Sequence, residues 1–237
     1  MDVATMEETV EIIRSAVTEG HFTQHVVVNV AKLVNMRRDA ELRESVQSCD
    51  LINIDGMGVV LGVRFLGYDV AERVAGIDLF HQLLAMSMNE QFPVYLLGAT
   101  EQVVNLAVEK LQVQYPSLRI AGYHHGYFFD NELEVVNKIR DSGARLLFVA
   151  ITSPKKELFI NRWKDHLGVD FVMGVGGTFD VVAGKVRRAP EWMQKWGLEW
   201  FYRVLQEPRR MWRRYLITNS KFAWLLAREK LNQVLPK

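Results

Sequence analysis

The sequence predicts an α/β protein: a Rossmann-like, open, mostly parallel sheet with helices on both faces, extended by a basic, tryptophan-rich helical appendage. Three observations predict it. Short apolar runs alternate with amphipathic stretches, the β-α order of a parallel sheet. Most of those runs are apolar on both faces, as strands lying between two helical layers must be. The charge is also split along the chain. Residues 185–237 carry 13 Lys and Arg against four acids, a net of +9, while residues 1–184 net −8. Five of the six tryptophans lie in the basic segment. The expected organisation is therefore a catalytic α/β body over 1–184 and a basic aromatic helical appendage over 185–237 for membrane contact.

In chain order, the candidate strands are residues 25–30, 51–54, 94–97, 119–121, 145–150 and 171–173. The amphipathic stretches are 31–47, 58–66, 77–89, 101–114, 131–141 and 156–167, and each falls between or beside the apolar runs. In the appendage Trp192, Trp196 and Trp200 recur at four-residue spacing, with Val204 continuing the row, which is one face of a helix. Such a stripe packs on a core, or, among many cations, meets a membrane surface. If the helix continues past Pro208, Arg203, Arg210 and Arg214 cluster, with Arg209 and Arg213 beside them.

At 237 residues and 49% apolar content the chain supports one sizeable core plus the appendage. The single cysteine, Cys49, excludes an internal disulfide, suits a reducing cytoplasm and reads as core packing. The N-terminus, with Asp2, Glu7, Glu8 and Glu11, does not resemble a signal peptide. No apolar run reaches the ~18 residues of a membrane span, so the expected membrane contact is peripheral, on the cytoplasmic side. Arginine with tryptophan suits an anionic membrane surface, where cations meet head groups and indoles sit at the boundary. Nucleic acid is the competing polyanion. The body is acidic and no nucleic-acid motif is present, so no nucleic-acid partner is expected. A homo-oligomer stays open.

Ligands of open α/β sheets bind beyond the carboxyl ends of the strands. The residues there are Asn29, Asp55 to Gly58, Gly98 to Thr100, Gly122 to Tyr127, Thr152 to Glu157 and Gly174 to Asp180. Asp55 either caps the next helix or takes a proton as general base. The glycines from Gly56 to Gly62 fall one residue short of a dinucleotide fingerprint, so an NAD(P)-linked oxidoreductase is the rival reading. A third reading is a membrane-bound nucleotide-binding regulator without turnover. Gly174-Val175-Gly176-Gly177 is either a plain turn or a loop whose N–H groups approach an anion. Arg187-Arg188 adds cations to a diphosphate or is a solvated pair. Pro154 suits a first helical turn and Ser153 its cap, with Lys155, Lys156 and Glu157 facing the crevice or the solvent. His124-His125 lacks further ligands for a metal. No Asp-x-Asp pair is present to hold a divalent cation on a nucleotide diphosphate.

Taken together, Asp55-Gly56-Met57-Gly58, Glu72-Arg73-Val74-Ala75-Gly76-Ile77-Asp78, Ser153-Pro154-Lys155-Lys156-Glu157, the Gly174 to Lys185 run, Arg187-Arg188-Ala189-Pro190, Glu199-Trp200-Phe201-Tyr202-Arg203 and Gln206-Glu207-Pro208-Arg209-Arg210 resemble the family 26 glycosyltransferases, the WecG/TagA/CpsF group. The resemblance runs from about residue 25 to residue 225. It implies an inverting, metal-independent enzyme without a cofactor. Such enzymes move N-acetylmannosamine, its uronic acid or glucose from a UDP-sugar to a polyprenyl-diphosphate-linked saccharide, for teichoic acid, common antigen, capsule or exopolysaccharide. The family's base falls on Asp55, its active-site arginine on Arg73, and its strand-tip asparagine on Asn29. The arginine that closes over the site falls on Arg203 or Arg209. On this reading Gly56, Lys156, Glu157, Gly176, Gly177, Asp180 and Arg187 bind substrate. Two positions depart from the family: Val27 replaces a frequent Thr, and Lys156 a frequent Gln. Lys156 would pair with a diphosphate or with a donor carboxylate.

Overall fold

The six apolar runs form one parallel sheet in the computed structural model, which describes residues 4–234 apart from the side chains of Arg210 and Val234. The strands are β1 (Thr23–Val28), β2 (Leu51–Ile54), β3 (Val94–Gly98), β4 (Ile120–His124), β5 (Leu146–Ala150) and β6 (Phe171–Gly174), in the order β2-β1-β6-β5-β3-β4. Every ladder is parallel, so all six carboxyl ends share one edge. The register Val28↔Ile54 places Asn29 and Asp55 side by side, each one residue beyond its strand.

Helices cover both faces, as the two-sided apolar character of the strands requires. They are α1 (Met6–Glu19), α2 (Val30–Met36), α3 (Ala40–Gln47), α4 (Met57–Phe65), α5 (Gly76–Asn89), α6 (Glu101–Gln114), α7 (Glu132–Asp141), α8 (Lys155–Trp163), α9 (Thr178–Val182), α10 (Glu191–Lys195), α11 (Glu199–Gln206) and α12 (Pro208–Val234). Residues of α1, α5, α6 and α9 share one core with Phe148, Phe171 and Met173 of the sheet. On the opposite face, α7 and α8 pack on Leu147, Val149 and Val172, and α2, α3 and α4 on Val26, Val28 and Ile54. Phe80 meets Phe148 edge to face at 4.9 Å, a favoured aromatic geometry, in the middle of the first core. Cys49 is buried, as core packing predicts.

The chain leaves β1 for β2 through helices on one face and β3 for β4 through α6 on the other. Between these diverging crossovers lie the tips of β1, β6 and β5, the switch point where a crevice opens in such sheets.

Four elements differ from expectation. Residues 31–47 form two helices, because Asp39 accepts a hydrogen bond from the Leu42 N–H at 2.9 Å and caps a new one. The helix α1 was not anticipated. Its signal is the capping box of Thr5 and Glu8, which answer each other's backbone N–H groups. The tryptophan row does not lie on one helix: Gly197, at φ +70°, separates α10 from α11, and a side chain there would meet Met57 at 2.6 Å. The helix does not continue past Pro208. Proline has no N–H and crowds the preceding turn, so α11 ends at Gln206 and α12 starts afresh with the proline in its first turn. Arg203 is thus on a different helix from Arg209, Arg213 and Arg214.

The helix α12 packs across α2 and α4. Phe222 and Leu226 press on Gly62, where an added Cβ would approach them to 2.9 Å. Met193 and Met211 are buried, whereas Trp192, Trp196, Trp212 and Trp224 are 60%, 78%, 53% and 61% exposed, so these indoles are not core.

Truncating Phe148 to Ala removes the ring on which Phe80 and Phe171 close. We expect a loss of about 3–5 kcal/mol, the usual range for a fully buried phenylalanine. Urea unfolding followed by circular dichroism measures it.

Candidate active site

Two neighbouring strand tips supply the first polar groups. Asn29 caps α2, its Oδ1 accepting from the Lys32 N–H at 3.0 Å. Asp55 has no such role. The cap position of α4 is Gly56, at φ +105°, and no side chain bonds there, so the helix-cap reading of Asp55 falls. That φ is strained for any residue with a side chain, which accounts for the glycine. Gly58 packs on Val30 and Gly62 on α12, so the glycines that resemble a dinucleotide fingerprint serve close helix packing.

Arg73 reaches the same place by a backbone tie. The Val74 N–H donates to the Ile54 carbonyl at 3.0 Å, which pins the 66–75 segment to the tip of β2, next to Asp55. Desolvation holds the Asp55 carboxyl above its ordinary value. Arg73, Arg203 and Lys32 pull it down and Glu199 pushes it up, but burial prevails although the residue keeps some accessible surface. A carboxylate in this state is a stronger base than one in water.

Arg73 donates to Glu199 of α11 in a partly buried ion pair. Beside it, Arg188 grips Asp78 with two bonds of 2.6 and 2.7 Å, and its Nε lies 3.8 Å from Glu199. Two cationic residues thus fasten the 185–206 segment to the body. Arg187 is exposed; its backbone N–H and carbonyl pair with Gln206 at 3.2 and 3.0 Å.

At the β6 tip, Gly176 turns the chain at φ +55° into α9. The Asp180 carbonyl accepts from the N–H groups of Lys185 and Val186, which folds the following loop back over the crevice. Gly177, Asp180, Val186, Arg203, Gln206, Glu207 and Met211 line a cavity of about 60 Å³. Arg203 is brought to this cavity. Arg209 lies exposed on α12.

Lys156 and Glu157 are buried rather than solvent-facing, whereas Ser153 is exposed and makes no cap bond at α8, where Pro154 holds the cap position after a cis peptide bond. One Glu157 oxygen lies 2.9 Å from Lys32 Nζ and 3.1 Å from Lys156 Nζ. The Lys156 stem runs over Gly174, where a Cβ would come within 2.5 Å of its Cε. Burial first, then Lys32, pushes the Lys156 ammonium down to about 8 against the pull of Glu157. Burial alone would raise Glu157, but the two ammonium groups outweigh it and hold it below the usual range. Lys32 escaped the sequence reading because nothing in its neighbourhood along the chain marks it; its partner lies 125 positions away.

His124 and His125 turn on each other, His124 Nδ1 lying 2.9 Å from the His125 carbonyl. Among the described residues no group of three or more His, Cys, Asp or Glu is placed to hold a metal, and no helix is long and apolar enough to cross a membrane.

The family model described as Glycosyl transferase WecG/TagA/CpsF family matches residues 1–235. Among similar proteins, an N-acetylglucosaminyldiphosphoundecaprenol N-acetyl-beta-D-mannosaminyltransferase of Bacillus subtilis (strain 168) is 33% identical over 221 residues, 91% of this chain and 85% of its own length. A protein of the same description from Bacillus spizizenii is 36% identical over 194 residues, 82% of this chain and 73% of its own.

The buried triad makes a pH prediction. Lys156 loses its proton near 8 when folded and near 10.5 when unfolded, so between these values the unfolded chain binds more protons and stability rises with pH. Cys49 acts oppositely: burial raises its thiol from 9.0 to about 12, so what it contributes below pH 9 is lost above it. Comparing wild type with Lys156→Gln removes the cysteine from the difference. In urea titrations wild type should gain on the variant as pH rises from 8 to 10; a constant difference would contradict the assignment.

Proposed function

The chain belongs to the WecG/TagA/CpsF family of glycosyl transferases, and within that family we propose that it moves a hexose or N-acetylhexosamine from a UDP-sugar to a polyprenyl-diphosphate-linked saccharide, with inversion and without a metal. The similar proteins support that acceptor: their description names a diphosphoundecaprenol-linked N-acetylglucosamine. N-acetylmannosamine is the donor sugar that the same descriptions favour. Lys156 is already held by Glu157, which removes the reason to prefer a uronic acid.

The observation that carries the chemistry is Asp55: a strand-tip carboxylate that caps nothing, is held above its ordinary proton affinity and stands among arginines. On this reading Asp55 removes the proton of the acceptor hydroxyl. The oxygen then attacks the anomeric carbon in line with the departing UDP. The diphosphate sits at the β6 tip, where N–H groups of Gly176 and Gly177 and the side chains of Arg203 and Arg187 meet its charge. Arg73 binds a further phosphate oxygen, and Asn29 and Gly56 border the reacting sugar. Glu157 and Lys156 shape the floor.

Residues 185–237 serve as lid and membrane contact. Ligand pockets commonly hold ~300–1,000 Å³, whereas the cavity between Gly177 and Arg203 holds about 60 Å³, so the segment shifts outward to admit a nucleotide sugar. Trp192, Trp196, Trp212 and Trp224 are exposed beside Lys195, Arg213 and Lys221, a composition that suits the anionic inner face of a bacterial membrane. The acceptor lipid resides in such a surface.

Asp55→Asn should lower kcat by roughly 10²–10⁴ while UDP affinity in EDTA, read by titration calorimetry, stays within a few-fold. Near-normal turnover would reject the base. Changing Arg209, Arg210, Arg213 and Arg214 to Glu should abolish sedimentation with phosphatidylglycerol vesicles at physiological salt, since each cation near such a surface contributes about 1 kcal/mol. Circular dichroism should show the body still folded. Vesicle binding that survives would remove the membrane reading.

A further inference from the structure

We propose that Glu199 is a positioning residue for the transfer: from the appendage it holds the Arg73 guanidinium at the tip of β2, so that the Asp55 site is complete only when residues 185–206 are docked. The inference rests on the reading of Asp55 as the base.

The geometry is a chain of contacts across the seam. The 66–75 segment is pinned to β2 by the Val74 N–H, and Arg73 extends from it to one Glu199 oxygen. The other Glu199 oxygen faces Arg188 Nε at 3.8 Å, and Arg188 is itself anchored on Asp78 of α5 by two short bonds. Glu199 therefore has a cation on each side and retains about a quarter of its side-chain surface, 28%. A carboxylate so placed has little freedom, and neither has the guanidinium that it holds.

The charges that act on Asp55 come from every element around it: Lys32 of α2, Arg73 of the 66–75 segment, Arg188 of the loop before α10, and Arg203 and Glu199 of α11. Among these groups Glu199 alone is negative. By engaging Arg73 it keeps that positive charge directed at a carboxylate other than Asp55. An unengaged Arg73 would turn to Asp55, stabilise its ionised form and weaken it as a base. Docking of the appendage and strength of the base are thereby one event: the helix that covers the crevice also brings the carboxylate that leaves Asp55 basic. No proton or bond is exchanged with Glu199.

The test is the pH dependence of kcat/KM in the full chain, with UDP-N-acetylmannosamine and a short-chain diphosphate-linked N-acetylglucosamine acceptor. Glu199→Gln should lower kcat by about ten- to a hundred-fold, leave the donor KM within a few-fold, and move the acid limb to lower pH. Glu199→Asp retains the charge and should return the acid limb to its wild-type position even if kcat stays reduced. Unchanged kcat in Glu199→Gln overturns the proposal. So does a lower kcat with an unmoved acid limb, which would mean that Glu199 only docks the appendage. Should Glu199→Gln fail to fold, by circular dichroism, Glu199→Asp decides alone, since a displaced acid limb there contradicts the positioning role. Asp55→Asn in the same assay separates the two failures: normal turnover there removes the base itself, whereas an inactive Asp55→Asn beside an unmoved Glu199→Gln profile removes only the positioning.

Discussion

Parallel strands covered on both faces leave their ends for polar chemistry, and the molecule is organised by that constraint. Backbone groups inside the sheet are paired with one another, and the side chains on its two faces are needed for the cores around Phe80, Phe148 and Leu147. Apart from the buried, hydrogen-bonded His25 and Asn53, polar groups therefore gather at the strand ends: Arg145 pairs with Asp170 at the amino ends, and the candidate site lies beyond the carboxyl ends. Because all ladders are parallel, those ends form a single edge. Asn29, Asp55, Glu157 and Gly176 follow different strands and are separated by up to 147 positions, yet share that edge.

Collecting so many charges in one place raises a second problem, that of burying them. Lys32, Lys156 and Glu157 answer it with a triad in which one carboxylate serves two ammonium groups. A buried ion pair gains little over apolar packing but is costly to break, because the orphaned charge remains in the low-dielectric interior. The triad is best understood as a way of holding the first turns of α2 and α8 together at the rim, with Gly174 reduced to a bare backbone so that the Lys156 stem can pass. Asp55 lies outside the triad and is raised by burial, where Glu157 is lowered by its neighbours. Two carboxyl groups at one edge thus reach opposite states, and the difference lies in how many cations each holds in contact.

The appendage depends on glycines where backbones approach. Gly62 admits Phe222 and Leu226, and Gly197 admits Met57 while ending a helix. These contacts, with Arg73–Glu199 and Arg188–Asp78 and the buried Met193 and Met211, set the segment against the body through apolar and ionic residues. The large indoles are left on the outside. The segment thus has apolar residues turned inward as in ordinary helix docking and a second set of indoles outward, which is the face the proposed membrane contact uses.

The sequence alone determined the six strands, the helices between them and the edge on which the polar residues collect, because hydrophobic period and turn residues are local properties of the chain. It determined the family as well, since the motifs around Asp55, Arg73, Glu157 and Gly176 occur in order along it. It also identified residues 185–237 as distinct material from charge and tryptophan content, and Asp55 as a strand-tip carboxylate with two open roles. Tertiary structure removed one of those roles by showing Gly56 at the cap of α4. It broke the tryptophan row at Gly197, buried Lys156 with Glu157, and joined Lys32 and Glu199 to the site. Those facts escaped the sequence because each depends on partners far away in the chain: Lys32 with Glu157, Arg73 with Glu199, Gly197 with Met57. A residue's local pattern specifies its secondary structure, but its charge state and exposure are set by what the fold brings against it.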